Sequence, residues 1–173
     1  LQLHGWAEEA VATAQIEGET LQVLSVRASA ARRLGLDAGP EQRDARTEAT
    51  LDVLQAALLH GPQALTHETL WAWRAALFPS GYSGLQAIVT GAYRRHAEPM
   101  QIVTPRLGKP DIVHYQAPDS AQVMAEMTQL LAWFNASLGV TDGLVRAALA
   151  HAWLEAIHPF EDGNGRLGRA LAD

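Results

Sequence analysis

The sequence predicts a mainly α fold, a helical bundle core carrying one β-hairpin. Three observations lead there. Apolar residues recur at helical spacing through most of the chain, Gly and Pro punctuate them, and one stretch alone turns to β-branched residues between prolines. At 173 residues and 48% hydrophobic composition the chain can bury one sizeable core, so one domain over 1–173 is expected.

Glu8 to Ile16 favours helix until Gly18 interrupts it, and Leu21, Leu24, Ala28 and Ala31 continue the helical spacing up to Gly35. Gly39-Pro40 marks a loop. Glu41 to His60 is a further helix with Leu51, Leu54 and Leu58 on one side, stopped by Gly61-Pro62. Thr66 suits the N-cap of the next helix, whose Trp71, Ala75 and Phe78 are expected in the core before Pro79-Ser80-Gly81 breaks it. Gln101 to Thr104 and Asp111 to Tyr115 flank a Gly- and Pro-containing loop, which is a hairpin signal, and its prolines predict an exposed edge. Pro118-Asp119-Ser120 opens a helix to about Asn135, and Thr141-Asp142 opens another through Trp153 and Ile157.

A formal charge of −6 argues against a nucleic-acid footprint, since a duplex binder normally shows a basic stripe, so any phosphate site must be local. Twelve of the thirteen basic residues are arginine, a compositional trait to which no function is attached. The absence of cysteine excludes disulfides and thiolate metal sites, and a cytoplasmic location is expected, although a periplasmic one is compatible. There is no apolar run of membrane-spanning length and no signal-peptide pattern over Leu1 to Trp6, so a soluble protein without membrane contact is expected. The chain opens without methionine and stops within a helical pattern, so flanking domains are expected at both ends.

The chemistry concentrates near the C-terminus. His158-Pro159 ends a helix, because proline disfavours the helical region for the residue before it. Phe160-Glu161-Asp162-Gly163-Asn164-Gly165 follows, and helical composition resumes at Arg166. A glycine loop feeding a helix N-terminus gathers backbone N–H groups into an anion-binding concavity. Arg166 and Arg169, three apart, place cations where the helix dipole disfavours them, a conflict that a nucleotide polyphosphate resolves. Asp162 offers a carboxylate for Mg²⁺ beside phosphates, and His158 has the type and position of a general base. The segment holds no evident nucleophile, so the acceptor hydroxyl must come from a second substrate.

His158-Pro159-Phe160-Glu161-Asp162-Gly163-Asn164-Gly165-Arg166-Leu167-Gly168-Arg169 matches every fixed position of the Fic (filamentation induced by cAMP) motif, and the upstream stretches resemble the same family over nearly the whole chain. The resemblance implies a Fic fold and a protein adenylyltransferase that moves AMP from ATP onto a Tyr, Thr or Ser hydroxyl, releasing pyrophosphate. It implies His158 as base over a catalytic loop at 158–169 and Asp162 as the Mg²⁺ ligand. Gly163, Asn164 and Gly165 would cradle the anion, with Arg166 and Arg169 on the β and γ phosphates. It further implies a flap at about 100–115, in which Gln101, Ile102, Val103, Thr104, Ile112 and Val113 dock the target as an added strand. The partners implied are ATP and an unidentified protein target, with self-modification among the outcomes and oligomer formation open.

Thr13-Ala14-Gln15-Ile16-Glu17-Gly18 is similar to the family's inhibitory pattern, on a helix of about 5–18. There Thr13, Glu17 and Gly18 would set a carboxylate on Arg169 and misplace ATP. Removal of AMP by a water that Glu17 positions is the nearest alternative, and a nucleotide-sensing module without turnover is the other. His151 and His158 lie about 10 Å apart along one helix and are not expected to share a metal.

Overall fold

The computed structural model describes residues 2–40 and 43–172. The fold is mainly helical, with seven helices and two short antiparallel strand pairs among the described residues. In order, the helices are α1 (Gln2–Ile16), α2 (Val23–Arg33), α3 (Ala45–His60), α4 (His67–Leu77), α5 (Ser120–Ala136), α6 (Gly143–Ile157) and α7 (Asn164–Ala172). None is long and apolar enough to cross a membrane.

Several boundaries follow from caps. The Asp44 carboxylate accepts from the Thr47 N–H at 2.8 Å, so α3 starts at Ala45 rather than at the expected Glu41, which lies outside the described residues. Thr66 caps α4 through the Thr69 N–H, and Asp142 caps α6 through those of Leu144 and Val145. Helix α5 opens on a capping box between Asp119 and Gln122. Helix α1 ends where Gly18 turns to φ 73° and its N–H reaches the Gln15 carbonyl, with the Glu19 N–H on that of Ala14.

The hairpin pairs β3 (Gln101–Thr104) with β4 (Ile112–Gln116), preceded in the chain by a second pair, β1 (Tyr82–Ser83) with β2 (Gln86–Ala87). The expectation of one hairpin is corrected here: Gly84, at φ 57°, turns the chain tightly enough for two-residue strands, too short to show alternation. Both strands of the longer hairpin are exposed throughout, and a register shift between Ile102 and Val103 kinks it.

Two buried clusters meet on α3. The N-terminal one joins α1, α2 and α3 through Ala7, Ala10, Ala14, Val26 and Leu51, small residues on α1 letting the helices approach closely. The larger one surrounds Leu70, Met127, Leu154, Phe160 and Leu167. Leu24 and Leu58, which keep the helical spacing noted above, are exposed; Val26 and Ala30 take inward positions on α2, as Leu51 and Leu54 do on α3.

Candidate active site

Helix α6 ends at Ile157, and His158 takes the left-handed conformation at φ 50° and ψ 59°. A residue before proline is expected to be extended. His158 is instead the C-cap, its N–H on the Leu154 carbonyl, and the sole non-glycine residue with positive φ among those described. The turn throws the chain sideways into Pro159 and the fully buried Phe160. Asn164, 2% exposed, closes the loop: its Oδ1 accepts from the Phe160 N–H at 3.0 Å and its Nδ2 donates to the Phe160 carbonyl at 2.9 Å. The Asn164 side chain therefore shapes the loop from inside. Gly163, at φ 89°, lies so close to the Phe78 ring that a Cβ would sit 2.9 Å from it.

A concavity of about 430 Å³ opens over this loop, lined by His158, Asp162, Gly163, Gly165 and Arg169 together with Glu17 of the N-terminal segment. Asp162 is held by two donors, the Gly163 N–H at 2.6 Å on Oδ1 and the Ser83 hydroxyl on Oδ2, with its side chain about a third exposed. Its neighbour Glu161 is paired instead with Arg74, accepting from Nη2 at 2.9 Å. Among the described residues no three His, Asp or Glu side chains gather to cage a metal. Asp162, hydrogen-bonded yet partly exposed at the concavity, is a loop carboxylate that could supply one oxygen to a cation such as Mg²⁺, whose other ligands would come from phosphate and water.

The two arginines diverge. Arg169 Nη2 reaches Glu17 Oε1 at 2.5 Å, and its Nε donates to the Thr13 hydroxyl. Glu17 Oε1 would stand 2.5 Å from a Cβ on Gly165, so the carboxylate rests directly on the glycine loop. Arg166 stacks 4.9 Å from the Phe78 ring centre, with Asp162 and Glu19 each 3.6 Å from its guanidinium. His151 packs on Gly168, where a Cβ would come within 2.6 Å of its ring, and so sets the α6–α7 spacing.

The flap residues Gln101, Ile102, Val103, Thr104, Ile112 and Val113 are exposed, and the Tyr115 hydroxyl ties the hairpin to the Ala156 carbonyl at 2.7 Å. Between flap and α6 lies a mostly apolar cleft of about 350 Å³, bordered by Met100, Ile102, Tyr115, Glu155 and His158.

Sequence reasoning missed five participants. Ser83 and Glu19 contact the loop from distant segments with no local signal. Glu155 carried one, since its i, i+3 spacing puts its carboxylate 3.9 Å from His158 Nδ1. Arg74 and Arg94, 0% and 2% exposed, brace the loop from below. Burial lowers both guanidinium pKa values, opposed by Glu161 and Asp162 at Arg74 and by Asp119 and Glu161 at Arg94, and both side chains remain charged.

A family model described as Fic/DOC family matches residues 64–173, more than half of the sequence. The chain belongs to the Fic/DOC family. A second model, described as Domain of unknown function (DUF4172), matches residues 1–36, the segment bearing Thr13 and Glu17. Over 50 residues this Fic/DOC chain is 44% identical to protein adenylyltransferase fic-1 of Caenorhabditis elegans, a match covering 28% of the chain and 10% of that relative. A Fic domain containing signaling protein from Bacteroides thetaiotaomicron superposes with a TM-score of 0.70 at 22% identity, over 99% of this chain and 63% of that one. A Fic family protein from Desulfovibrio desulfuricans gives 0.66 at 24%, over 98% and 47%. Fic-1 from C. elegans gives 0.60 at 21%, over 97% and 46%. These likenesses establish the shared fold.

Proposed function

We propose that this domain is a protein adenylyltransferase held in check by its own Glu17. The observation that carries the proposal is the convergence of His158, the Gly163–Gly165 turn, Asp162 and Arg169 on one concavity, with Glu17 seated on the cation that a triphosphate needs. The partial likeness to protein adenylyltransferase fic-1 supports the same activity.

In this reading ATP lies across the glycine turn with its β and γ phosphates on Arg166 and Arg169. Mg²⁺ on Asp162 would neutralise phosphate charge as it develops. The target's hydroxyl oxygen bonds to the α-phosphorus, its proton passes to the His158 imidazole, and the bond from the α-phosphorus to the bridging oxygen breaks to release pyrophosphate. Positioning and charge neutralisation supply most of the acceleration. The exposed hairpin edge offers backbone groups to an extended target segment, presenting its hydroxyl beside His158.

Glu17 blocks this by occupying Arg169 with a charge-assisted hydrogen bond, so the γ phosphate loses its anchor. The reverse chemistry, removal of AMP by water, uses the same pocket, and Glu17 faces it as the carboxylate that would orient that water. The experiment is mass spectrometry of cell lysate treated with Mg²⁺, ATP and Glu17→Gly protein, beside Glu17→Gly/His158→Ala. AMP-modified peptides in the first sample alone support transfer. Their absence from both, with AMP removal from a modified protein that Glu17→Gly abolishes, assigns the reverse activity.

A further inference from the structure

Arg94 lies outside every motif named above, yet it binds three consecutive backbone carbonyls at the exit of α6. Its guanidinium Nε donates to the His158 carbonyl at 2.7 Å, its Nη2 to that of Ile157 at 3.4 Å, and its backbone N–H to that of Pro159 at 2.9 Å. Nη2 also donates to the Pro118 carbonyl at 2.5 Å, just after the flap, whose root is closed by the Ala117 N–H on the Met100 carbonyl. The helix end explains the demand. The last carbonyls of α6 lack partners within the helix, and the left-handed turn at His158 swings successive carbonyls toward one point. A non-glycine residue in that conformation is strained and persists only where its surroundings fix it. A buried cation at a helix C-terminus is also favoured by the dipole.

We propose that Arg94 is the positioning residue for the His158 imidazole, locking the left-handed turn that aims the ring at the pocket and fixing it relative to the flap root. It touches no substrate and acts through backbone alone. Tyr93 reinforces the arrangement: its ring packs on Phe160 at 5.3 Å between centres and its hydroxyl is bonded to His67 Nδ1 at 2.7 Å. Lysine cannot replace Arg94, because a single ammonium lacks the fork that reaches both His158 and Pro118.

The catalytic part of this inference rests on the proposed role of His158 as base, so the experiment has two arms. Arg94→Lys and Arg94→Met are made in the Glu17→Gly background and assayed for AMP transfer. Separately, the imidazole signals of His158 are followed by NMR in the wild-type background, assigned by their loss in His158→Ala. The expected result is a fall in kcat of about 10²-fold, the cost of misplacing a reacting group by about an ångström, with KM for ATP within about twofold of the parent. The His158 ring signals are expected to shift or broaden in both variants. A raised KM with kcat intact, unaltered His158 signals, or failure of both variants to fold would each overturn the assignment. If the Glu17→Gly parent transfers no AMP, the functional proposal fails, while the ring signals still decide whether Arg94 fixes His158.

Discussion

The Glu17 carboxylate lies 2.5 Å from Nη2 of Arg169, across 152 residues of sequence, with the Arg169 side chain 15% exposed and that of Glu17 25% exposed. Glu17 directly follows α1 and Arg169 lies on α7, so this contact joins the N-terminal segment to the helix that follows the glycine loop. Hydrogen bonds to charged groups are worth roughly 1.5–3 kcal/mol. Replacing Glu17 by glycine is therefore expected to raise ATP affinity and transfer rate by about 10- to 100-fold. Isothermal titration with Mg-ATP and a labelled-ATP assay check the two quantities separately.

Glu19 holds the other arginine more loosely. Its carboxylate is 3.6 Å from Arg166 and about a third exposed, the range in which ion pairs contribute about 0–1 kcal/mol. Glu19→Ala is expected to lower KM for ATP by at most about fivefold, and less at high salt, because exposed pairs are screened. Equal KM values at low and high salt would show that Glu19 does not compete with phosphate.

Asn164→Ala should unfold the loop rather than merely weaken phosphate contact. It leaves the buried N–H and carbonyl of Phe160 without partners, at about 1–3 kcal/mol each. A loss of roughly 2–4 kcal/mol on urea unfolding is expected, accompanied by loss of activity. Asn164→Asp keeps one acceptor and should lose less.

Acid will loosen α3 through its cap. The Thr47 backbone N–H, then the Thr47 hydroxyl, hold the Asp44 carboxyl below the ordinary carboxylate range. A carboxyl whose folded pKa is depressed stabilises the fold above its unfolded pKa and loses that contribution as pH falls through the folded value. Wild type should thus lose stability below about pH 4 more steeply than Asp44→Ala, which is already weaker by about 1 kcal/mol at neutral pH. Unfolding midpoints across the acid range measure the difference.

Legibility followed sequence distance. The helices, their caps at Thr66 and Asp142, and the loop from His158 to Arg169 were readable because periodicity, capping residues and glycine act within a few positions. The β1–β2 pair escaped because two-residue strands carry no alternation. Leu24 and Leu58 keep the helical spacing yet are exposed, because an apolar stripe does not say how far a neighbouring helix extends over it. Ser83, Glu19, Arg74 and Arg94 were illegible because each reaches the loop from a separate segment, where a lone polar residue looks like any surface residue.

Transfer of the nucleotide half of ATP is distinguished from transfer of the terminal phosphate by parallel incubations of Glu17→Gly protein with Mg²⁺ and ATP labelled at the α or the γ phosphate. Label on protein from the α position alone, with pyrophosphate released and no signal in Glu17→Gly/His158→Ala, is the expected result. Label on protein from the γ position, or from neither, would contradict it.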